Sequence, residues 1–151
     1  MLIKKYNLKI DRLPESQLDF LKIDVPHNNI LKINKKINKL SKIVDLTSKM
    51  PPIYDQWNLG SCTYNALCGL IGYDNPSIIG SRLFLYYNER KIEKHISIDS
   101  CAQLYDGIKC LTIYGICQES DWPYDITKFT ICPTIQCYNN ALGHKALQVK
   151  I

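Results

Sequence analysis

Apolar residues in this chain recur mostly at helical spacing. Ile30, Ile33, Ile37, Leu40 and Val44 fall three or four positions apart. That pattern predicts a short amphipathic helix with lysines on its other face. Before it, Pro14 and Pro26 break residues 1–44 into short extended pieces, so this part reads as an N-terminal extension. Pro51-Pro52 forces an extended entry into the next part. After Gly60 a second periodic run opens. Ser61 fits an N-cap whose hydroxyl accepts from an orphan backbone N–H. Ala66, Leu67, Leu70 and Ile71 make its buried stripe, and Asp74-Asn75-Pro76 ends it. A further helix is predicted after Ser81, with Leu83, Phe84 and Tyr87 inward and Glu89, Arg90 and Lys91 outward. Another runs from near Ser100 to Tyr114 on Leu104, Ile108 and Leu111, with Gly115 at its C′ position. Ser120 to Pro133 reads as turns rich in aromatic residues, and a last short helix covers Tyr138 to Leu147. Strand signal is slight, and there are no internal repeats.

Composition narrows the classes. With 46% apolar and 22% charged residues the chain has material for a core, which argues against global disorder. The net charge of +5 is concentrated at Lys32, Lys35, Lys36, Lys39 and Lys42. No aromatic side chains are interleaved with these lysines, so a solvated face is expected and not a nucleic-acid site. No apolar run approaches the ~20 residues of a membrane span. Met1-Leu2-Ile3 meets Lys4-Lys5 at once, without the apolar core of a signal peptide, so an intracellular location is expected. Seven cysteines are present without a Cys-x-x-Cys pair. A zinc knuckle is therefore not expected, and the thiols are expected mostly reduced, with pairing of Cys132 and Cys137 left open. No acidic pair, metal cluster or glycine-rich phosphate loop stands out, so neither a metal nor another cofactor is expected.

The chemistry concentrates between Asp55 and Ala66. Cys62 follows a Gly-Ser turn and falls in the first turn of a predicted helix. A helix N-terminus presents free N–H groups and about half a positive charge, which favours a thiolate. Gln56, six residues upstream, is placed to fold back toward the same turn. Its amide N–H and the backbone N–H of Cys62 then form two donors for an oxyanion on an attacked carbonyl.

The spacing Gln56-x-x-x-Gly60-Ser61-Cys62 resembles the active-site segment of papain-like cysteine peptidases. It is most similar to the bacterial and large-virus branch that carries Leu-Gly-Ser-Cys-Thr. Other stretches resemble the same branch in order. They are Val44-Asp45-Leu46, Met50 to Gln56, Ser81 to Asn88, Asp106 to Lys109, Tyr114 to Glu119 and Asp121-Trp122-Pro123-Tyr124. The resemblance implies an α+β family fold, with this chain mainly its helical lobe over residues 45–151 and the β-rich lobe missing. It implies Cys62 as nucleophile, Gln56 as oxyanion donor, and Ser100, Cys101 and Ala102 as a strip lining a peptide or protein substrate. Three positions depart from the pattern. Trp57 and Cys101 stand where the family usually has glycine, and Tyr64 replaces a small residue.

A thiol peptidase also needs an imidazole to take and return protons. In the family that histidine, and the asparagine orienting it, come ~130–150 residues after the cysteine. The histidines here are His27, His95 and His144, and the resemblance gives none of them that role. The sequence thus predicts a truncated peptidase-related protein, inactive alone. The alternatives are a non-catalytic interaction module, or half of a two-chain peptidase whose partner chain supplies the missing lobe.

Overall fold

The computed structural model describes residues 43–101 and 103–146. Of these, residues 43–48 belong to one unit of the chain and residues 49–146 to another. In the short unit the Asp45 carboxylate accepts from the Thr47 N–H at 2.9 Å. The predicted amphipathic run from Ile30 lies, up to Lys42, outside the described residues.

The larger unit is built from four α-helices: α1 (Cys62–Asp74), α2 (Arg82–Ile92), α3 (Leu104–Ile113) and α4 (Ile135–Ala141). A 3-10 turn, Leu142–His144, continues from α4. Among the described residues, β pairing is one isolated antiparallel bridge between Gly80 and Gln118. α2 is the middle helix and packs against both α1 and α3. Eight successive residues of it, Leu83 to Arg90, are buried. Ser81 caps it, accepting from the Phe84 N–H at 3.1 Å.

That central position overturns one prediction. Glu89 and Arg90 were expected to face outward, yet both are fully buried, and only Lys91 is exposed. Neighbours approach α2 from all sides, so helical period alone does not give its orientation. The buried face of α1 also differs from the predicted stripe. It is Thr63, Tyr64, Leu67, Cys68 and Gly72, whereas Ala66 and Leu70 are exposed. The Tyr64 ring packs on that of Tyr86 in α2, with centroids 5.5 Å apart, and so turns this face inward. On α3, Leu111 is buried as predicted, joined by Gly107 and Cys110, but Leu104 is half exposed. The last helix starts three residues earlier than predicted. Thr134 supplies its N-cap, its side chain accepting from the Cys137 N–H.

Gly115 stands just past the C-cap of α3, as its sequence position predicts. Its φ is +76°, and a Cβ there would meet the Ala141 carbonyl oxygen at 2.0 Å. The ends of α3 and α4 can therefore touch only across a glycine. The contact is tied by the Ile116 N–H to the His144 carbonyl and the Ala146 N–H to the Leu111 carbonyl, each at 3.2 Å. Beside it runs an open apolar groove of about 760 Å³ along the C-terminal half of α1, lined by Leu70, Ile71, Leu104, Ile108 and His144. All seven cysteines are free thiols.

Candidate active site

The turn before α1 is shaped by short-range hydrogen bonds. Asp55 Oδ1 accepts from the Trp57 N–H at 2.8 Å, and Trp57 adopts a left-handed φ of +52°. The chain then doubles back. Gln56 Nε2 donates to the Leu59 carbonyl at 2.9 Å, which also accepts from the Ser61 N–H at 2.8 Å. The Gln56 amide is thereby held at the mouth of α1. One of its two N–H groups is engaged, and the other has no protein partner among the described residues.

Cys62 is the first residue of α1 and is half-buried. Its backbone N–H belongs to the first turn, where no intrahelical acceptor exists. The Ser61 carbonyl takes the N–H groups of Tyr64 and Asn65, each at 3.1 Å, and so starts the helix ladder. Ser61 is the N-cap by position, but its hydroxyl makes no capping bond. It is hydrogen-bonded to the Tyr124 hydroxyl and accepts from Asn65 Nδ2 at 3.1 Å. The predicted cap gives way because Asn65, from the same helix, and Tyr124, from a distant segment, reach the same oxygen.

Those groups belong to a network that sequence reading did not assign. Tyr124 also donates to the Gln56 carbonyl at 3.1 Å, bridging the turn on both sides of Gly60. The Arg82 guanidinium lies over the Tyr124 ring at 4.0 Å and the Tyr54 ring at 4.7 Å. It donates to Asn65 Oδ1 at 3.1 Å and to Glu119 Oε1 at 2.8 Å. Glu119 accepts in addition from the backbone N–H groups of Arg82 and Tyr124, each at 3.1 Å. The pair is largely out of water, at 12% and 21% side-chain exposure, which makes its geometry stringent. Asn65, given no role from sequence, is the link between this pair and the start of α1. Its position four residues after Ser61 was the available signal.

A second brace comes from the segment before α3. Asp99 accepts the Gly60 N–H through both carboxylate oxygens, at 2.9 and 3.2 Å. The Tyr86 hydroxyl donates to the same carboxylate and to the Ser100 carbonyl. A Cβ on Gly60 would lie 3.0 Å from Asp99 Oδ1 and 3.5 Å from Cys101 Sγ. Ser100 and Cys101 thus run beside the turn that carries Cys62, and Ala102 lies outside the described residues. Burial pushes the thiols of Cys68, Cys110 and Cys117 above the ordinary range, which leaves them unreactive. Cys62 and Cys101 are both less enclosed than these three.

No family model matches the chain. An uncharacterized peptidase C1-like protein from Acanthamoeba polyphaga mimivirus is 41% identical over 123 residues, which are 78% of this chain and 39% of that protein. Among solved structures, xylellain, a cysteine protease from Xylella fastidiosa, aligns with a TM-score of 0.63 at 42% identity. That alignment covers 72% of this chain and 47% of xylellain. The chain is related to the papain-like cysteine peptidases. It spans less than half the length of either relative. Its helices correspond to the helical lobe of the papain-like fold.

In that papain-like frame the departure at Trp57 gains a physical reading. Its left-handed φ is the conformation glycine adopts without cost and a side chain adopts at about 1 kcal/mol. The indole is half exposed and rests edge-on to Tyr124, with centroids 6.5 Å apart. Tyr64, the third departure, is fully buried against α2 and points away from solvent. His95 is exposed beyond the end of α2. His144 lines the apolar groove beside Leu70, Ile71 and Asp74, at the opposite end of α1 from Cys62. At 1.5 Å rise per residue those positions are roughly 12 to 18 Å along the axis from Cys62. His27 lies outside the described residues. No helix among the described residues is long and apolar enough to cross a membrane.

Proposed function

We propose that residues 45–151 form the nucleophile-bearing lobe of a papain-like thiol peptidase, acting on a peptide or protein substrate. Cys62 Sγ attacks the scissile carbonyl. The free Gln56 N–H and the Cys62 backbone N–H receive the oxyanion, and Ser100, Cys101 and Ala102 flank the extended substrate. The observation that supports this reading is the fold-back of Gln56 onto the carbonyl of Leu59, three residues before the start of α1. Preorganised donors of this kind are worth several kcal/mol in acyl transfer.

Completion of the cycle needs a proton carrier. The attacking thiol must lose a proton, and the departing amine must gain one. The placement of His95 and His144 supports the reading that neither serves, so a polypeptide of these 151 residues is expected to be alkylated at Cys62 without turning over peptide. A partner chain carrying the β-rich lobe would supply the imidazole. The test is treatment with a peptidyl electrophile followed by mapping of the modified thiols. Cys62 is expected to react slowly and without marked selectivity over Cys101. Failure of Cys62 to react while Cys101 does would overturn the assignment.

A further inference from the structure

A separate cluster lies between α2 and α3. Glu89 is in the last turn of α2 and Glu93 is its C-cap, and Asp106 is in the first turn of α3. One carboxylate oxygen from each lies within 4.8 Å of the others. Sequence reading saw no acidic group because Glu89 was assigned to solvent and Asp106 comes from another helix.

Glu89 is fully buried, and neither of its carboxylate oxygens has a hydrogen-bond partner. Glu93 Oε2 is buried and equally unpartnered. An independent group points the same way. Tyr64, from α1, is fully buried with its hydroxyl aimed at Glu89; burial first, and then the charges of Glu89 and Glu93, raise its pKa. The neighbouring buried cation is committed elsewhere. Arg90 donates to the carbonyls of Tyr86 at 3.1 Å and Ile96 at 2.7 Å, and to those of Ile98 and Phe129. Lys91 instead faces the rings of Tyr114 and Tyr138. Three acids and a phenol therefore converge, and the hydrogen bonds of the nearby Arg90 go to backbone carbonyls and not to these carboxylates. Orphaned buried carboxylate oxygens are rare enough to require a cause.

We propose that Glu89, Glu93 and Asp106 bind a hard divalent cation of calcium size. An all-oxygen donor set selects calcium, magnesium or manganese over zinc and copper. Calcium–oxygen bonds of about 2.4 Å allow donor oxygens up to about 4.8 Å apart, a limit the three oxygens here meet, and calcium accepts an irregular shell where magnesium demands near-octahedral geometry. The Tyr64 hydroxyl and water complete the shell. The ion would join both ends of the segment between α2 and α3. That segment carries Asp99, which holds Gly60, and Cys101 beside it. Calcium thus stiffens the wall next to Cys62 without touching the thiol.

The experiment is thermal unfolding of the 151-residue chain in chelator, in excess calcium and in excess magnesium, with terbium luminescence excited through tyrosine as a second readout. Calcium is expected to raise Tm by about 5 °C, and more than magnesium does. Terbium emission is expected to appear and to be displaced by calcium. Glu93→Gln and Asp106→Asn, both at half-buried positions, should lose the shift and the emission while remaining folded. Asp125→Asn, at a remote acid, should keep both. Absence of a shift and of emission in the parent chain overturns the proposal. A shift retained in the Glu93→Gln, Asp106→Asn double variant overturns it as well.

Discussion

Trp57 shows how a single backbone angle ranks substitutions. Its φ of +52° costs a side chain about 1 kcal/mol, offset by edge-on contact with Tyr124 worth about as much. Trp57→Gly removes both terms and is expected to change stability by less than about 1 kcal/mol. Trp57→Val keeps the strain, adds a β-branch and loses the ring, so it is expected to cost about 2 kcal/mol. Urea unfolding midpoints of the two variants check the ordering. The sequence marked Trp57 as a departure but held nothing of its dihedral angle. The residues in the Gln56–Cys62 segment were legible because their chemistry is local. Tyr124, Glu119 and Asp99 were not assigned roles around it, because each reaches the turn from more than thirty positions away. Arg82→Ala is expected to destabilise by about 3 kcal/mol, since it leaves Glu119 half-enclosed without its counter-charge. Denaturant unfolding of Arg82→Ala beside the double variant Arg82→Ala, Glu119→Gln measures this, and the second change should recover part of the loss.

At the scale of elements, existence and order of the helices could be read, but their orientation could not. Ser81, Gly115 and the Asp74-Asn75-Pro76 stop are terminal signals that act within a few residues, and the helices begin or end beside each. Burial depends on which neighbours arrive. α2 sits between α1 and α3, so Glu89 and Arg90 are enclosed despite their charge. Leu70 and Leu104, apolar and periodic, instead line an open groove. The α3–α4 junction gives a sharp test at this scale. Gly115→Ala would drive a Cβ against the Ala141 carbonyl at a left-handed φ, and is expected to cost about 3 kcal/mol or more. A loss of Tm exceeding 10 °C relative to the parent chain is anticipated for a unit of this size.

Across the whole molecule, the helical lobe brings the Gln56 amide, the first turn of α1 and the Ser100–Cys101 segment together through two separate braces, one from Tyr124 and one from Asp99. Neither brace involves a histidine. The proposed function therefore separates attack from turnover: Cys62 would attack with Gln56 as oxyanion donor, and among the described residues neither His95 nor His144 is placed to relay protons. The most direct test is hydrolysis of a fluorogenic peptide by the purified 151-residue chain and by its Cys62→Ala variant. The account predicts no turnover above background for either. Release of product by the parent chain that disappears in Cys62→Ala would contradict it.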